Sequence, residues 1–174
     1  MNLSKWFFIA MFSALPLNAH AAGCPTDLPE SARAAVEQDN WKILDPFDLQ
    51  QVDAKTFRNN HQGQCPGIAI GNFYPRADSS YLIALVQTDD KKILTEKLVL
   101  VTQKKGRTDT AVVVPPTQVD KPSVVWKLAA GHYVGIDGTR AHISRDSFIY
   151  EQVNSTATQY YYDGSHLKSF VISR

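Results

Sequence analysis

Four side chains that can transfer protons or bind a metal ion occur close together in the second half of the sequence. They are His132, Asp137, His142 and Asp146, within "HYVGIDGTRAHISRD". Imidazole and carboxylate groups act as general acids and bases and as zinc ligands, and a hairpin here would place the two histidines opposite each other. A hydrolase with its site in this stretch is therefore one hypothesis. The sequence favours the other interpretation, polar residues on loop and strand surfaces, and we predict no metal and no cofactor.

The usual signatures of catalysis do not occur elsewhere in the sequence. The chain has no G-x-S-x-G nucleophile elbow, no H-E-x-x-H zinc motif, no P-loop and no G-x-G-x-x-G. The next histidines on either side, His61 and His166, are separated from the cluster along the chain. We therefore predict a protein that is not an enzyme.

A second candidate is the loop "NFYPRADSS", residues 72–80, which runs directly into an apolar strand. The loop either only turns the chain or also presents Tyr74 and Arg76 to a protein partner. Tyrosine offers a large apolar ring with a polar tip, and arginine offers a planar donor fork that can pair with a carboxylate. Pro75 between them restricts the backbone, so we expect a rigid loop with both side chains exposed. The further predicted contacts, from the 135–146 loop and the tyrosine run 160–162, are Asp137, Arg140 and Tyr161.

The first 21 residues have the pattern of a secretory signal peptide. Lys5 precedes the apolar stretch "WFFIAMFSALPL", and Ala19 and Ala21 provide small residues for cleavage after Ala21. No later stretch is long and apolar enough to span a bilayer, so we predict a periplasmic protein with one domain over residues 22–174. The 18 basic and 17 acidic side chains nearly balance. The absence of a strong net positive charge argues against nucleic acid as a partner.

The chain contains two cysteines, Cys24 and Cys65. In an exported protein, an even pair most simply forms one disulfide. The bridge would close a loop of about 40 residues and contribute roughly 4 kcal/mol in the chain-entropy model. The alternative is that Cys24 is lipidated, because "AAGC" at 21–24 resembles a lipoprotein box. The polar residues Asn18 and His20 within the expected apolar stretch make that alternative the less favoured one.

The elements that would position these residues are mostly strands. An amphipathic helix is predicted at about 28–40, capped by Asp27, and the polar stretch 50–64 is predicted to be a surface loop. The Pro-rich segment "VVPPTQVDKP" is also predicted to be a loop, whereas Asp163-Gly164 is typical of a hairpin turn. The fold class predicted is α+β, mainly β: an antiparallel meander, sandwich or propeller-like, with one N-terminal helix packed on it. The predicted strands cover residues 68–74, 81–87, 97–103, 110–114, 124–128, 133–136, 148–153, 156–162 and 167–172.

Short motifs in the β-rich part resemble those of small exported bacterial proteins. They are "CPG" at 65–67, "GNF" at 71–73, "YLIALV" at 81–86, "DSFI" at 146–149 and "YYDG" at 161–164, followed by Phe170 and Ser173. The pattern is also similar to FG-GAP and propeller-blade repeats, in which G-D-F-N-G-D-G-x-x-D binds calcium. This resemblance implies a binding module, and some exported relatives are described as inhibitors or immunity proteins.

The 72–80 loop departs from the calcium-binding version of that motif. Calcium requires six to eight oxygen ligands, several of them carboxylates. Pro75 and Arg76 stand where acidic ligands would be needed, and Asp78 is the only carboxylate of the loop. The loop is therefore not expected to bind calcium.

The predicted export, the disulfide-linked β-rich domain and the Tyr and Arg of the loop together favour a binding function. We predict that the partner is a protein of the cell envelope, such as a cell-wall-degrading enzyme that this protein inhibits. An envelope hydrolase remains the alternative function.

Overall fold

The computed structural model of the protein describes Cys24 and residues 28–174. The predicted signal peptide, its cleavage position and the predicted helix cap at Asp27 lie outside the described residues. Antiparallel strands dominate the described part and are accompanied by two short α-helices, which confirms the mainly-β, α+β class.

The strands form two sheets and a separate hairpin. The helices are α1 (Glu30–Ala34) and α2 (Gln51–Asn60), and a 3-10 turn covers Pro46–Asp48. The strands are β1 (Lys42–Ile43), β2 (Ile68–Gly71), β3 (Ser79–Thr88), β4 (Leu94–Lys104), β5 (Arg107–Gln118), β6 (Val124–Leu128), β7 (Gly131–Val134), β8 (Arg140–Ile143), β9 (Ser147–Glu151), β10 (Ala157–Asp163) and β11 (His166–Ser173). The first sheet has the order β1-β3-β4-β5, with β2 also paired to β3, and the second has the order β11-β10-β9-β6. Each sheet therefore comes from one continuous half of the chain, and β7–β8 form the hairpin.

The central strand β3 shows why "YLIALV" is apolar without alternation. Leu82, Ala84 and Val86 belong to the core between the two sheets, whereas the intervening Tyr81, Ile83 and Leu85 pack under the N-terminal segment. Successive side chains of a strand point to opposite faces, so a strand that is covered on both faces needs apolar residues at every position. Strand β4 follows the same rule.

The disulfide predicted from the sequence is present between Cys24 and Cys65, whose Cα atoms lie 4.9 Å apart. It joins the N-terminal segment to the chain just before β2. The buried side chains of that segment, Leu28, Ala32 and Val36, form a second hydrophobic cluster with the outer face of β3. The apolar face predicted for this segment is therefore confirmed, and the bridge holds it against the first sheet.

The hairpin β7–β8 covers the outer face of the second sheet. Its Ile143 is buried, and the Ile136 N–H donates to Val171 O on β11 at 2.9 Å. Gly135 lies so close to this sheet that a Cβ atom there would meet the Phe170 ring at 3.0 Å. Beneath the hairpin, Gln159 is fully buried and donates to the Ser147 hydroxyl at 2.8 Å.

The predicted helix of residues 28–40 is wrong in length. Helix α1 ends at Ala34, and Asp39 and Asn40 adopt left-handed backbone angles of 54° and 65°. Aspartate and asparagine tolerate this conformation better than most residues, and it is incompatible with a continuing α-helix. The chain therefore turns back toward β1 before the predicted helix end.

The 50–64 segment contains helix α2 instead of the predicted loop. Among its ten residues only Asp53 and Phe57 are buried. The Asp53 carboxylate accepts hydrogen bonds from Lys121 Nζ and from Asn154 Nδ2, both at 3.3 Å. A helix that is anchored by one aromatic ring and one paired carboxylate lacks an apolar stripe. That stripe is the feature by which an amphipathic helix is recognised in a sequence.

The Pro-rich segment was also predicted wrongly, because Pro115 and Pro116 lie inside β5. This strand is at the edge of the first sheet, where alternate N–H groups face away from the ladder. The pairing with β4 also shifts register beside the prolines, which relieves the ladder of the other N–H. Nearly all the other predicted strands occur with shifted ends, and the Asp163-Gly164 hairpin is confirmed. The sequence patterns did not predict the short strands β1 and β8.

Candidate functional site

The structure disperses the four residues of the candidate hydrolytic site. His132 and His142 are cross-strand neighbours on the hairpin, with ring centroids 4.4 Å apart, which is the arrangement that a hairpin in this stretch would give. Asp137 lies in the hairpin turn and accepts two hydrogen bonds of 2.9 Å from Thr139, one from its N–H and one from its hydroxyl. These two bonds hold the pKa of the Asp137 carboxyl below its ordinary value, which makes it a poor proton acceptor at neutral pH.

Asp146 serves a different part of the molecule. Its carboxylate accepts a hydrogen bond from the Asn72 N–H at 2.8 Å and lies 3.8 Å from Lys127 Nζ. A Cβ atom on Gly71 would meet this carboxylate at 2.9 Å, so the "GNF" motif requires glycine for close packing. Over Cys24 and residues 28–174, no group of three or more His, Cys, Asp or Glu side chains is placed to hold a metal. The described residues therefore do not assemble the site that the hydrolase hypothesis requires.

The loop 72–80 is closed by hydrogen bonds at both ends. The Ser80 hydroxyl donates to Gly71 O at 2.6 Å and accepts from the Phe73 N–H at 3.0 Å. The Asp78 carboxylate accepts from the Lys105 N–H at 2.7 Å, which fastens the loop to the β4–β5 turn. These contacts support the prediction that the loop is a rigid connection that leads into β3.

The side chains of this loop have different environments. Phe73 is fully buried between the sheets and meets Phe148 edge to face at a centroid distance of 5.6 Å. Tyr74 is half-buried, since its ring packs edge to face on Tyr162 at 5.0 Å. Burial, and secondarily Tyr74, raises the pKa of the Tyr162 phenol, which therefore stays neutral at physiological pH. The prediction that Tyr74 is exposed is therefore wrong, because its ring closes one end of the core.

Arg76 is exposed, as predicted, and has an unusual backbone conformation. Its φ angle is 71°, in the left-handed region that non-glycine residues seldom adopt. Such strain persists only where surrounding contacts fix the backbone. The hydrogen bonds of Ser80 and Asp78 provide those contacts, so they fix the direction in which the Arg76 side chain leaves the backbone.

Beside this loop is an open groove of about 430 Å³ at one end of the sandwich. Tyr74 and Arg76 line one side, Lys104 and Asp109 line the second, and the Gly164–Ser165 turn closes the third. The groove thus joins three segments that are distant in the sequence. Its side chains combine an aromatic surface with two cations and one carboxylate.

This end of the molecule is rich in exposed basic side chains. Arg76 and Lys104 line the groove, and Lys105 and Arg107 lie beside Lys104 in the β4–β5 hairpin, where Lys104 is paired with Arg107. None of the four forms an ion pair with a residue in the described part of the chain. We call these four residues the basic rim. Sequence patterns did not reveal it, because "KKGR" alone is typical of a hairpin turn and Arg76 is far away along the chain.

The other predicted contact residues lie elsewhere. Asp137 and Arg140 belong to the hairpin β7–β8, and Tyr161 is half-buried against Phe170 on the outer face of the second sheet. Of the five residues that were predicted to contact a partner, only Tyr74 and Arg76 therefore line the groove. No helix among residues 28–174 is long and apolar enough to cross a membrane.

Comparison with protein-family models, with curated proteins and with solved structures finds no match to this chain. The resemblance to FG-GAP and propeller-blade proteins therefore stays a prediction. A functional proposal has to rest on the geometry of the described residues.

Proposed function

We propose that the protein is an exported binding module that inhibits an enzyme of the bacterial cell envelope, with the basic rim as its contact surface. The observation that carries this proposal is the group of four exposed cations at one end of the sandwich, none of which forms an ion pair with another described residue. The disulfide supports export, because such bridges persist in oxidising compartments such as the periplasm. The predicted signal peptide agrees with this location.

The charge of the rim favours a partner with exposed carboxylates. Enzymes that cleave glycan chains use a pair of Asp or Glu side chains in an open cleft. The Arg76 guanidinium can donate two parallel hydrogen bonds to one carboxylate, and Lys104 supplies a second positive charge on the same groove. An enzyme of this class that degrades the cell wall is the partner that we propose.

The fixed backbone of the loop also favours binding. An exposed arginine normally loses conformational freedom when a partner immobilises it, which weakens association. Here Pro75 and the hydrogen bonds of Ser80 and Asp78 already fix the backbone around Arg76. Less freedom therefore remains to be lost in a complex.

The test begins with capture of the partner from a cell-envelope extract by the immobilised mature protein. The captured enzyme is purified, and its cleavage of cell-wall glycan is measured with and without this protein. We expect Arg76→Ala to weaken the complex about thirtyfold, which corresponds to the roughly 2 kcal/mol typical of a central arginine contact. Titration calorimetry at two salt concentrations should also show weaker binding of the unmodified protein at the higher one.

Arg58→Ala on helix α2 is the matched control, because it removes an equally exposed arginine outside the rim. It should leave both affinity and inhibition unchanged. Arg76 is tested alone, since Tyr74 packs on Tyr162 and its removal would also lower stability. Unchanged binding by Arg76→Ala, or a captured enzyme whose activity this protein does not reduce, would exclude the proposed function.

A further inference from the structure

His132 and His142 occupy the position in the hairpin where cross-strand side chains approach most closely. The Gly135 N–H donates to Thr139 O at 2.7 Å, so these two residues form a hydrogen-bonded pair. Hydrogen-bonded and non-hydrogen-bonded pairs alternate along an antiparallel ladder. Counting back from Gly135, Tyr133–Ala141 is a hydrogen-bonded pair and His132–His142 is a non-hydrogen-bonded pair. In a non-hydrogen-bonded pair the two Cα atoms are only about 4.5 Å apart, closer than in a hydrogen-bonded pair, and the two side chains project side by side.

The hairpin that carries this pair is held firmly. Its opposite face packs on the second sheet through Ile143, and its turn is attached to β11 by the hydrogen bond from Ile136 to Val171. The Tyr133 hydroxyl donates to Ala129 O at 2.6 Å and fastens the first strand. Because the inward face is fixed, the two imidazoles stay on the outward face, where both residues are exposed.

The spacing of the two rings suits a shared metal ion. The centroids are 4.4 Å apart and the planes are inclined by 32°. Two metal–nitrogen bonds of about 2.1 Å at the roughly 90° angle between adjacent ligands of square-planar Cu²⁺ require nitrogens about 3 Å apart. An imidazole nitrogen lies only about 1 Å from its ring centroid, so a small rotation of each exposed ring brings two nitrogens to this separation.

We propose that His132 and His142 form a surface binding site for a divalent transition metal ion with an affinity for imidazole, with Cu²⁺ bound most tightly. Neutral imidazole is a ligand for Cu²⁺, Ni²⁺ and Zn²⁺, and affinities in this series normally peak at Cu²⁺. Water completes the coordination, since the outward face of the hairpin is open to solvent. The site is independent of the basic rim and of the function proposed above. It replaces the expectation from the sequence that the protein binds no metal, and we expect the fold not to depend on the ion.

The test is titration of tag-free protein with CuSO₄, followed by calorimetry and by electron paramagnetic resonance of the bound Cu²⁺. We expect one saturable site whose spectrum shows two imidazole nitrogens, and weaker binding of Ni²⁺ and Zn²⁺. His132→Ala and His142→Ala should each weaken Cu²⁺ binding at least tenfold and leave one imidazole nitrogen in the spectrum. The double variant should be little weaker than either single one, because either change already removes the chelate.

His166→Ala is the control, because it removes an exposed histidine from β11 and leaves the pair intact. It should bind Cu²⁺ as the unmodified protein does. Circular dichroism of the metal-free proteins should show the same fold and the same thermal midpoint in all variants. The proposal is overturned if no saturable site is found, or if the affinity of folded His132→Ala and His142→Ala equals that of the unmodified protein.

Discussion

Replacement of Phe73 by alanine should lower the free energy of unfolding by about 3–5 kcal/mol, the range typical of a fully buried phenylalanine. The Phe73 ring is inaccessible to solvent and meets the Phe148 ring of the opposite sheet. Its loss would leave a cavity between two sheets that are each fixed by their own ladders, so the walls cannot easily collapse. Urea unfolding followed by tryptophan fluorescence measures the effect.

Arg76→Ala provides the comparison, because it changes the same loop three residues away. Arg76 is exposed and makes no ion pair with a described residue, so its removal should change the free energy of unfolding by less than about 0.5 kcal/mol. If Phe73→Ala cost less than about 1 kcal/mol, the loop would not be anchored in the core. The proposed rigidity of Arg76 would then lose its basis.

Removal of the disulfide by the double change Cys24→Ala, Cys65→Ala should lower the free energy of unfolding by about 4 kcal/mol. The two cysteines are 41 positions apart, and this is the chain-entropy value for a loop of that length. The N-terminal segment should also loosen from the outer face of β3, where Ala32 and Val36 pack. Urea unfolding of the oxidised protein and of the double variant gives the difference.

Reduced unmodified protein is the control for the double variant. If the bridge alone is responsible, both should unfold at the same urea concentration, and the oxidised protein should unfold at a clearly higher one. A difference in unfolding free energy below about 1 kcal/mol would mean that the N-terminal segment stays attached through its apolar contacts alone. The bridge would then contribute little to the stability of the fold.

Continuous apolar runs made the centre of the fold predictable. "YLIALV" is apolar at every position. Only a strand that is covered on both faces requires such a run, and β3 is covered on both faces. The disulfide followed from the cysteine count together with the predicted signal peptide. Helix α2 could not be predicted in the same way, because one aromatic ring and the buried Asp53 hold it, and the partners of Asp53 are far away along the chain.

The candidate site was predictable only in part. The sequence indicated that Arg76 is exposed and that a hairpin could bring His132 opposite His142, and the structure has both features. The groove could not be predicted, because it depends on how the β10–β11 turn and the β4–β5 turn meet at one end of the sandwich. Tyr74 was assigned to the surface because its partner, Tyr162, belongs to the other sheet.

The arrangement of the two sheets has a consequence for the order in which the protein folds. Most strand pairs join neighbours in the chain, such as β3 with β4 and β10 with β11, so each sheet can assemble from short-range contacts. Short-range contacts form quickly because little chain entropy is lost in closing them. Neither half, however, can cover its apolar inner face until the other arrives. The docking of two preformed halves is therefore the slow step that we expect, and during that step the chain would be most exposed to proteases and to aggregation.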